Sequence, residues 1–86
     1  MVPAPSVLRT MAQRLREARL KAGLSQEEVA LRIGSTPRSL TRWENGECDP
    51  GFVSVRAMAR LYSVSLDWIA GDAPPRSRGT ARGPGT

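Results

Sequence analysis

The feature that most constrains this chain is a pair of helix signals set almost end to end between Leu24 and Gly46. Ser25 is followed three residues later by Glu28, the spacing of a capping box, in which each side chain bonds the other residue's backbone N–H. Leu24 and Val29 stand where a hydrophobic staple closes over that start. A helix from about Gln26 to Ile33 follows and Gly34 ends it. Thr36-Pro37 then supplies a second start, an N-cap followed by proline at the first helical position, where its missing N–H has no partner to lose. That second helix runs over residues 37–44, and Asn45-Gly46 stops it. Two short helices joined by so brief a turn form a helix-turn-helix unit. Ala30 lies four residues after Gln26 and four before Gly34, and its small side chain lets the two helices cross closely.

The flanking segments carry the same helical period. Leu8, Met11, Leu15, Ala18 and Ala22 recur at helix spacing, with Ser6 as N-cap and Gly23 beyond the end, which predicts a helix over about 7–22. Asp49-Pro50-Gly51 reads as a turn. Phe52, Val55, Met58, Ala59 and Tyr62 form a further stripe, and Ser65 caps a short last helix through Trp68 and Ile69 that Gly71 ends. No run alternates with period two, and no internal repeat is visible. The expectation is an all-α, compact five-helix bundle over residues 6–71. Residues 1–5, with Pro3 and Pro5, are expected to be a flexible, extended lead. Residues 72–86 carry almost no apolar side chain to offset chain entropy, which predicts a disordered tail.

Composition removes most function classes. With 86 residues there is room for one small domain. A lone cysteine, Cys48, allows no intramolecular disulfide and fits a reducing compartment. There is no histidine. A structural zinc site therefore lacks its usual ligands, and the commonest general base is missing. No Gly-rich phosphate loop is present either. An enzyme, a metal site and a cofactor are all unexpected. The 13 Lys and Arg against 8 Asp and Glu, mostly arginine, give +5 and point first to nucleic acid, second to an anionic membrane or acidic protein. Arg76, Arg78 and Arg82 place part of that charge in the tail. No stretch approaches the ~18 apolar residues of a membrane span. The opening residues lack the basic segment and apolar run of a signal peptide. A soluble, cytoplasmic protein is expected.

The helix over 37–44 divides into two faces. Leu40 and Trp43, three apart, form an apolar side suited to a core. Arg38, Thr41, Arg42 and Asn45 follow an i, i+3, i+4, i+7 pattern on another side. That division suits a recognition helix, anchored on one face and reaching base edges in the DNA major groove with the other.

Leu24-Ser25-Gln26-Glu27-Glu28-Val29-Ala30 through Gly34, Thr36 to Trp43-Glu44-Asn45-Gly46, Pro50 and Val64-Ser65-Leu66-Asp67 together resemble the lambda-repressor-like, XRE/Cro-type helix-turn-helix family. The resemblance covers about residues 9–71 and implies a sequence-specific DNA-binding transcriptional regulator, of repressor type, whose partner is double-stranded operator DNA. It implies base contacts from Arg38, Arg42, Thr41 and Pro37, and phosphate contacts from Gln26, Thr36, Ser39 and Asn45. Thr41 and Ser39 can equally bond back to their own helix. Arg19 and Glu44 resemble a structural pair joining the first helix to the end of the third. A homodimer on DNA is implied, with Leu66 and Val64 at its contact surface and Trp68 either supporting it or lying in the core. Two positions depart from the family pattern. Ser35 stands where Val or Ile is frequent, and Pro37 where relatives often place a polar residue, so that readout rests more on Arg38 and Arg42. The alternatives are an antitoxin of a toxin–antitoxin pair and a protein-interaction module on the same fold. Arg32 reads as a surface charge and Cys48 as a loop residue.

Overall fold

The computed structural model describes residues 4–71. Five helices follow one another there: α1 (Ala4–Lys21), α2 (Gln26–Ile33), α3 (Pro37–Glu44), α4 (Phe52–Tyr62) and α5 (Leu66–Ala70). No strand occurs among the described residues. The expected tail over 72–86, and residues 1–3 of the expected flexible lead, lie outside them.

The start of α1 corrects the sequence reading. Ser6 is not its N-cap; the helix begins at Ala4 and contains Pro5. Proline is compatible with a first turn because the N–H it lacks would bond nothing there, and its fixed φ is already helical. Pro5 therefore lies in the first turn of α1, where an extended segment is expected from the sequence.

The starts of α2, α3 and α5 fall where the capping residues stand, while α4 opens at Gly51 without a side-chain cap. Ser25 accepts from the Glu28 N–H at 3.0 Å and its own N–H donates to Glu28 Oε1 at 2.9 Å, so the capping box is complete. Thr36 accepts from the Ser39 N–H at 3.1 Å, with Pro37 at the first position of α3. Ser65 accepts from the Trp68 N–H at 3.0 Å. Each bond satisfies a donor that the helix itself leaves orphaned, and each is typically worth about 1 kcal/mol.

One fully buried side chain from each helix meets in the centre: Leu15, Val29, Leu40, Met58 and Ile69. At about 1.5–3 kcal/mol for burying each such side chain, this set ties all five elements into one core. Helix α1 runs against α3, α4 and α5, while α2 packs on α3 and α4. Ala18, Ala30 and Ala59 are also buried, and their small side chains let neighbouring helices approach. Trp43 and Trp68 are half-buried and pack against this cluster, as do Leu24, Ile33, Val64 and Leu66. No helix is long and apolar enough to cross a membrane among the described residues.

Candidate nucleic-acid interface

The turn between α2 and α3 is set by backbone bonds. Gly34 takes the left-handed conformation, φ 73°, that costs a residue with a Cβ about 1–2 kcal/mol. The next N–H, of Ser35, reaches back to the Ala30 carbonyl at 2.8 Å. This closure is made by the main chain and asks nothing of the half-buried Ser35 side chain. The chain then enters α3 through the Thr36 cap.

Leu40 is completely buried in α3, and Arg38, Thr41 and Arg42 are exposed. The arginines are four residues apart, about one turn, so their side chains rise from neighbouring rows of one surface. Arg38 has no ion-pair partner among the described residues, whereas Arg42 Nε lies 3.7 Å from Glu47 Oε1. Pro37 is exposed at the start of the helix and Asn45 at its end. The Asn45 amide donates to Glu47 Oε2 at 3.4 Å.

Below this surface a chain of polar contacts connects three helices. Arg19 donates from Nε to Glu44 Oε2 at 2.7 Å and from Nη2 to Oε1 at 3.0 Å, a two-pronged pair. Its Nη1 also donates to the Leu24 carbonyl at 2.9 Å, just before the capping box. Both residues are only 8% exposed. The hydrogen bond to Glu44 holds the Arg19 guanidinium above its ordinary pKa, against the opposing effect of burial. Glu44 Oε1 accepts a further bond from Gln26 Nε2 at 3.1 Å. Gln26 Oε1 in turn accepts from the Thr41 hydroxyl at 2.9 Å. The pair thus fixes the end of α3 to α1, and Gln26 fixes the start of α2 to the exposed face of α3.

These bonds limit what each side chain has left to offer a ligand. Gln26 Nε2 keeps one of its two N–H donors. The Thr41 hydroxyl proton is shared between Gln26 and the Pro37 carbonyl, 3.1 Å away, so its methyl and remaining lone pairs are what it has left for a ligand. The Thr36 hydroxyl donates to Ser39 Oγ at 3.0 Å while accepting the Ser39 N–H, which leaves the half-buried Ser39 its own hydroxyl proton.

Leu66 and Val64 are both half-buried, but the structure sets them in different hollows. Leu66 lines an apolar groove of about 190 Å³ with Met11, Phe52, Val55 and Ile69. Val64 lines a hollow with Ala18, Tyr62 and Trp68. Trp68 is occupied within the fold: the Arg14 guanidinium lies 5.0 Å from its ring centroid and donates to its carbonyl at 2.7 Å. Cys48 is a free, half-buried thiol in the loop after α3.

Sequence reasoning missed three elements here. The Arg14–Trp68 contact spans 54 residues and has no local signal. The Gln26 bridge needs the crossing angle of α2 and α3. The Glu47 carboxylate was legible in principle, since Asn45-Gly46 predicts a left-handed cap and such a cap brings the next residue back over the last turn.

A two-faced helix, locked across a second helix by a left-handed turn and presenting arginines outward, defines a helix-turn-helix bundle. The helix-turn-helix family model matches residues 15–69. The HTH-type transcriptional regulator ImmR of Bacillus subtilis is 34% identical over 62 residues, 72% of this chain and 49% of that protein. An uncharacterized HTH-type transcriptional regulator of Haemophilus influenzae is 37% identical over 43 residues, half of this chain and 18% of that protein. One from Archaeoglobus fulgidus is 30% identical over 57 residues, 66% of this chain and 81% of that protein. The chain therefore spans about half the length of the first of these relatives, less than a fifth of the second and most of the third. It belongs to the XRE, lambda-repressor-like helix-turn-helix family.

Proposed function

We propose that this chain is a sequence-specific DNA-binding transcriptional regulator, of repressor type, that lays α3 in the major groove of operator DNA. The observation that carries the reading is the division of α3. Leu40 is sealed in the core while Arg38 and Arg42, one turn apart, are exposed on another surface of the helix. An arginine fork fills the two acceptors, O6 and N7, of a guanine edge, so guanines are expected in each half-site. Gln26 at the start of α2, with Thr36, Ser39 and Asn45 around α3, supplies phosphate contacts that set register without reading sequence. Pro37 and the Thr41 methyl offer apolar contact, suited to a thymine methyl. The names of the relatives, HTH-type transcriptional regulators, support the reading.

The groove at Leu66 supports pairing of two copies on DNA. Phe52 at its edge is 69% exposed, an apolar surface that a second copy can cover. Two copies related by a two-fold axis would place their α3 helices in successive major grooves, on half-sites about one helical turn apart.

The test is an affinity panel of single-base operator variants against the wild type, Arg38→Ala, Arg42→Ala and Gln26→Ala. Loss of a reading arginine is expected to cost about 1–3 kcal/mol and to relax preference at its own base pair only. Loss of Gln26 is expected to weaken all sequences about equally. Binding by the pair is expected to fall about 10³–10⁵-fold between ~50 and ~200 mM salt. If both arginine variants keep every wild-type base preference, α3 does not read sequence through them and the reading fails.

A further inference from the structure

We propose that Glu47 is a specificity-determining positioning residue, which holds the Arg42 guanidinium in place for a single guanine and lowers affinity for all other DNA. The proposal rests on the DNA-binding reading above and assigns a role to a residue outside α3.

The backbone sets the arrangement. Helix α3 ends with Gly46 in the left-handed conformation, φ 75°, and two reaching-back bonds follow: Gly46 N–H to the Trp43 carbonyl at 3.2 Å and Glu47 N–H to the Arg42 carbonyl at 2.9 Å. This is the Schellman pattern, which stacks the second residue past the cap onto the third residue before it. Those positions ordinarily hold an apolar contact. Here they hold opposite charges, Glu47 and Arg42, 3.7 Å apart. Asn45 donates to the other Glu47 oxygen at 3.4 Å, so the carboxylate is held from two sides.

An acidic group beside a DNA-facing surface repels phosphate, and a pair this exposed contributes little to folding. A use in recognition accounts for both. The contact atom on Arg42 is Nε, at the near end of the guanidinium, and the terminal Nη1–Nη2 edge is the one that matches guanine O6 and N7. A carboxylate at Nε restricts the swing of the long arginine side chain and directs that edge outward. When DNA excludes water from the site, the attraction between the two charges grows and the restriction tightens. Arg38 has no such partner among the described residues, so the two arginines differ in how they are held. A free arginine can settle on a phosphate as readily as on a base, and a held one is committed to the base.

The experiment uses the full chain. The wild type first selects sites from a randomised duplex library. Affinities of the wild type, Arg38→Ala, Arg42→Ala, Glu47→Gln and Glu47→Ala are then measured on the selected duplex, its single-base variants and a random-sequence duplex, with thermal midpoints alongside. Arg42→Ala identifies the base pair that Arg42 reads, where discrimination of about 5–150-fold is expected. Both Glu47 variants are expected to lose most of that discrimination and to keep the preference at the Arg38 pair. They are also expected to bind the random duplex several-fold more tightly than wild type, with unchanged thermal midpoint. If Arg42→Ala relaxes a base pair and the Glu47 variants do not, the positioning role is overturned and the DNA-binding reading stands. If the Glu47 variants weaken every sequence equally, or change a pair that Arg42 does not read, the role is likewise overturned. If neither arginine variant alters any preference, Arg42 reads no base pair and the positioning role is overturned; if the wild type selects no site from the library, the DNA-binding reading itself fails.

Discussion

The α2–α3 surface and the α4–α5 groove are built from different forces. Around α3, position is set by directional bonds: the two-pronged Arg19–Glu44 pair, the Gln26 bridge to Thr41, and the Ser25 and Thr36 caps. Around Leu66 the surface is apolar, lined by Met11, Phe52, Val55 and Ile69, and shaped mainly by burial. Reading base edges requires side chains placed to fractions of an ångström, which hydrogen bonds of fixed length and angle provide. Covering an apolar face requires only matching shape, because the hydrophobic effect has no direction. On the proposed function, the contrast separates the residues that aim α3 at DNA from those that would face a second copy.

Glu44→Ala is the strongest way to break the contrast. It leaves the Arg19 charge buried without its partner, at 8% exposure, and removes an acceptor from Gln26. A loss of about 3–5 kcal/mol in urea unfolding is expected. A loss under about 1 kcal/mol would show that the pair is open to water and does not anchor α3. On the other side, Ile69→Ala deletes a 1% exposed side chain beneath the groove and is expected to cost about 2–5 kcal/mol through the cavity it leaves. Together the two variants measure whether the polar side is held as strongly as the apolar one.

Ser25→Ala is expected to cost about 1 kcal/mol by removing the α2 cap. The cap also carries a pH signature. Hydrogen bonds to Ser25 hold the Glu28 carboxyl below the ordinary glutamate value of 4.5. A depressed folded-state pKa means that this stabilisation is complete above the unfolded value and fades as pH falls through the folded one. Thermal midpoints measured from pH 7 down to pH 3 are therefore expected to fall more steeply below about 4.5 in the wild type than in Glu28→Gln. Parallel curves would remove Glu28 from the cap.

Phe52→Ala sharpens the comparison by separating folding from assembly. Because Phe52 is 69% exposed, the monomer is expected to change by no more than about 0.5 kcal/mol. Occupancy of both half-sites, read by gel shift on duplexes with one or two sites, is expected to lose cooperativity. Unchanged cooperativity would move the contact between copies away from the groove.

The smallest effect is expected at Tyr62. Its hydroxyl is buried without a hydrogen-bond partner among the described residues. Burial pushes the phenol above its usual pKa, the Glu44 carboxylate adds to the rise, and Arg19 opposes it. Removing a polar group that bonds nothing costs little. Tyr62→Phe is expected to leave the melting midpoint unchanged or slightly raised, and a drop of several degrees would reveal a partner for the hydroxyl.

The sequence by itself determined the elements and most of their ends. Ser25, Thr36 and Ser65 cap the helices they precede, because capping is local and depends on residues within one turn. The apolar stripes placed Leu15, Leu40 and Met58 inward, because helical period sorts residues by face, although Phe52 at the start of the α4 stripe is 69% exposed. Pro5 misled because proline can open a helix as well as end one. Only the tertiary structure decided what crossed between elements. It engaged Gln26 with both Thr41 and Glu44, set Arg14 over Trp68, and parted Val64 from Leu66 into different hollows. Those outcomes depend on the angles at which helices cross. Such angles follow from how all the side chains interlock at once, which no single stretch of sequence specifies.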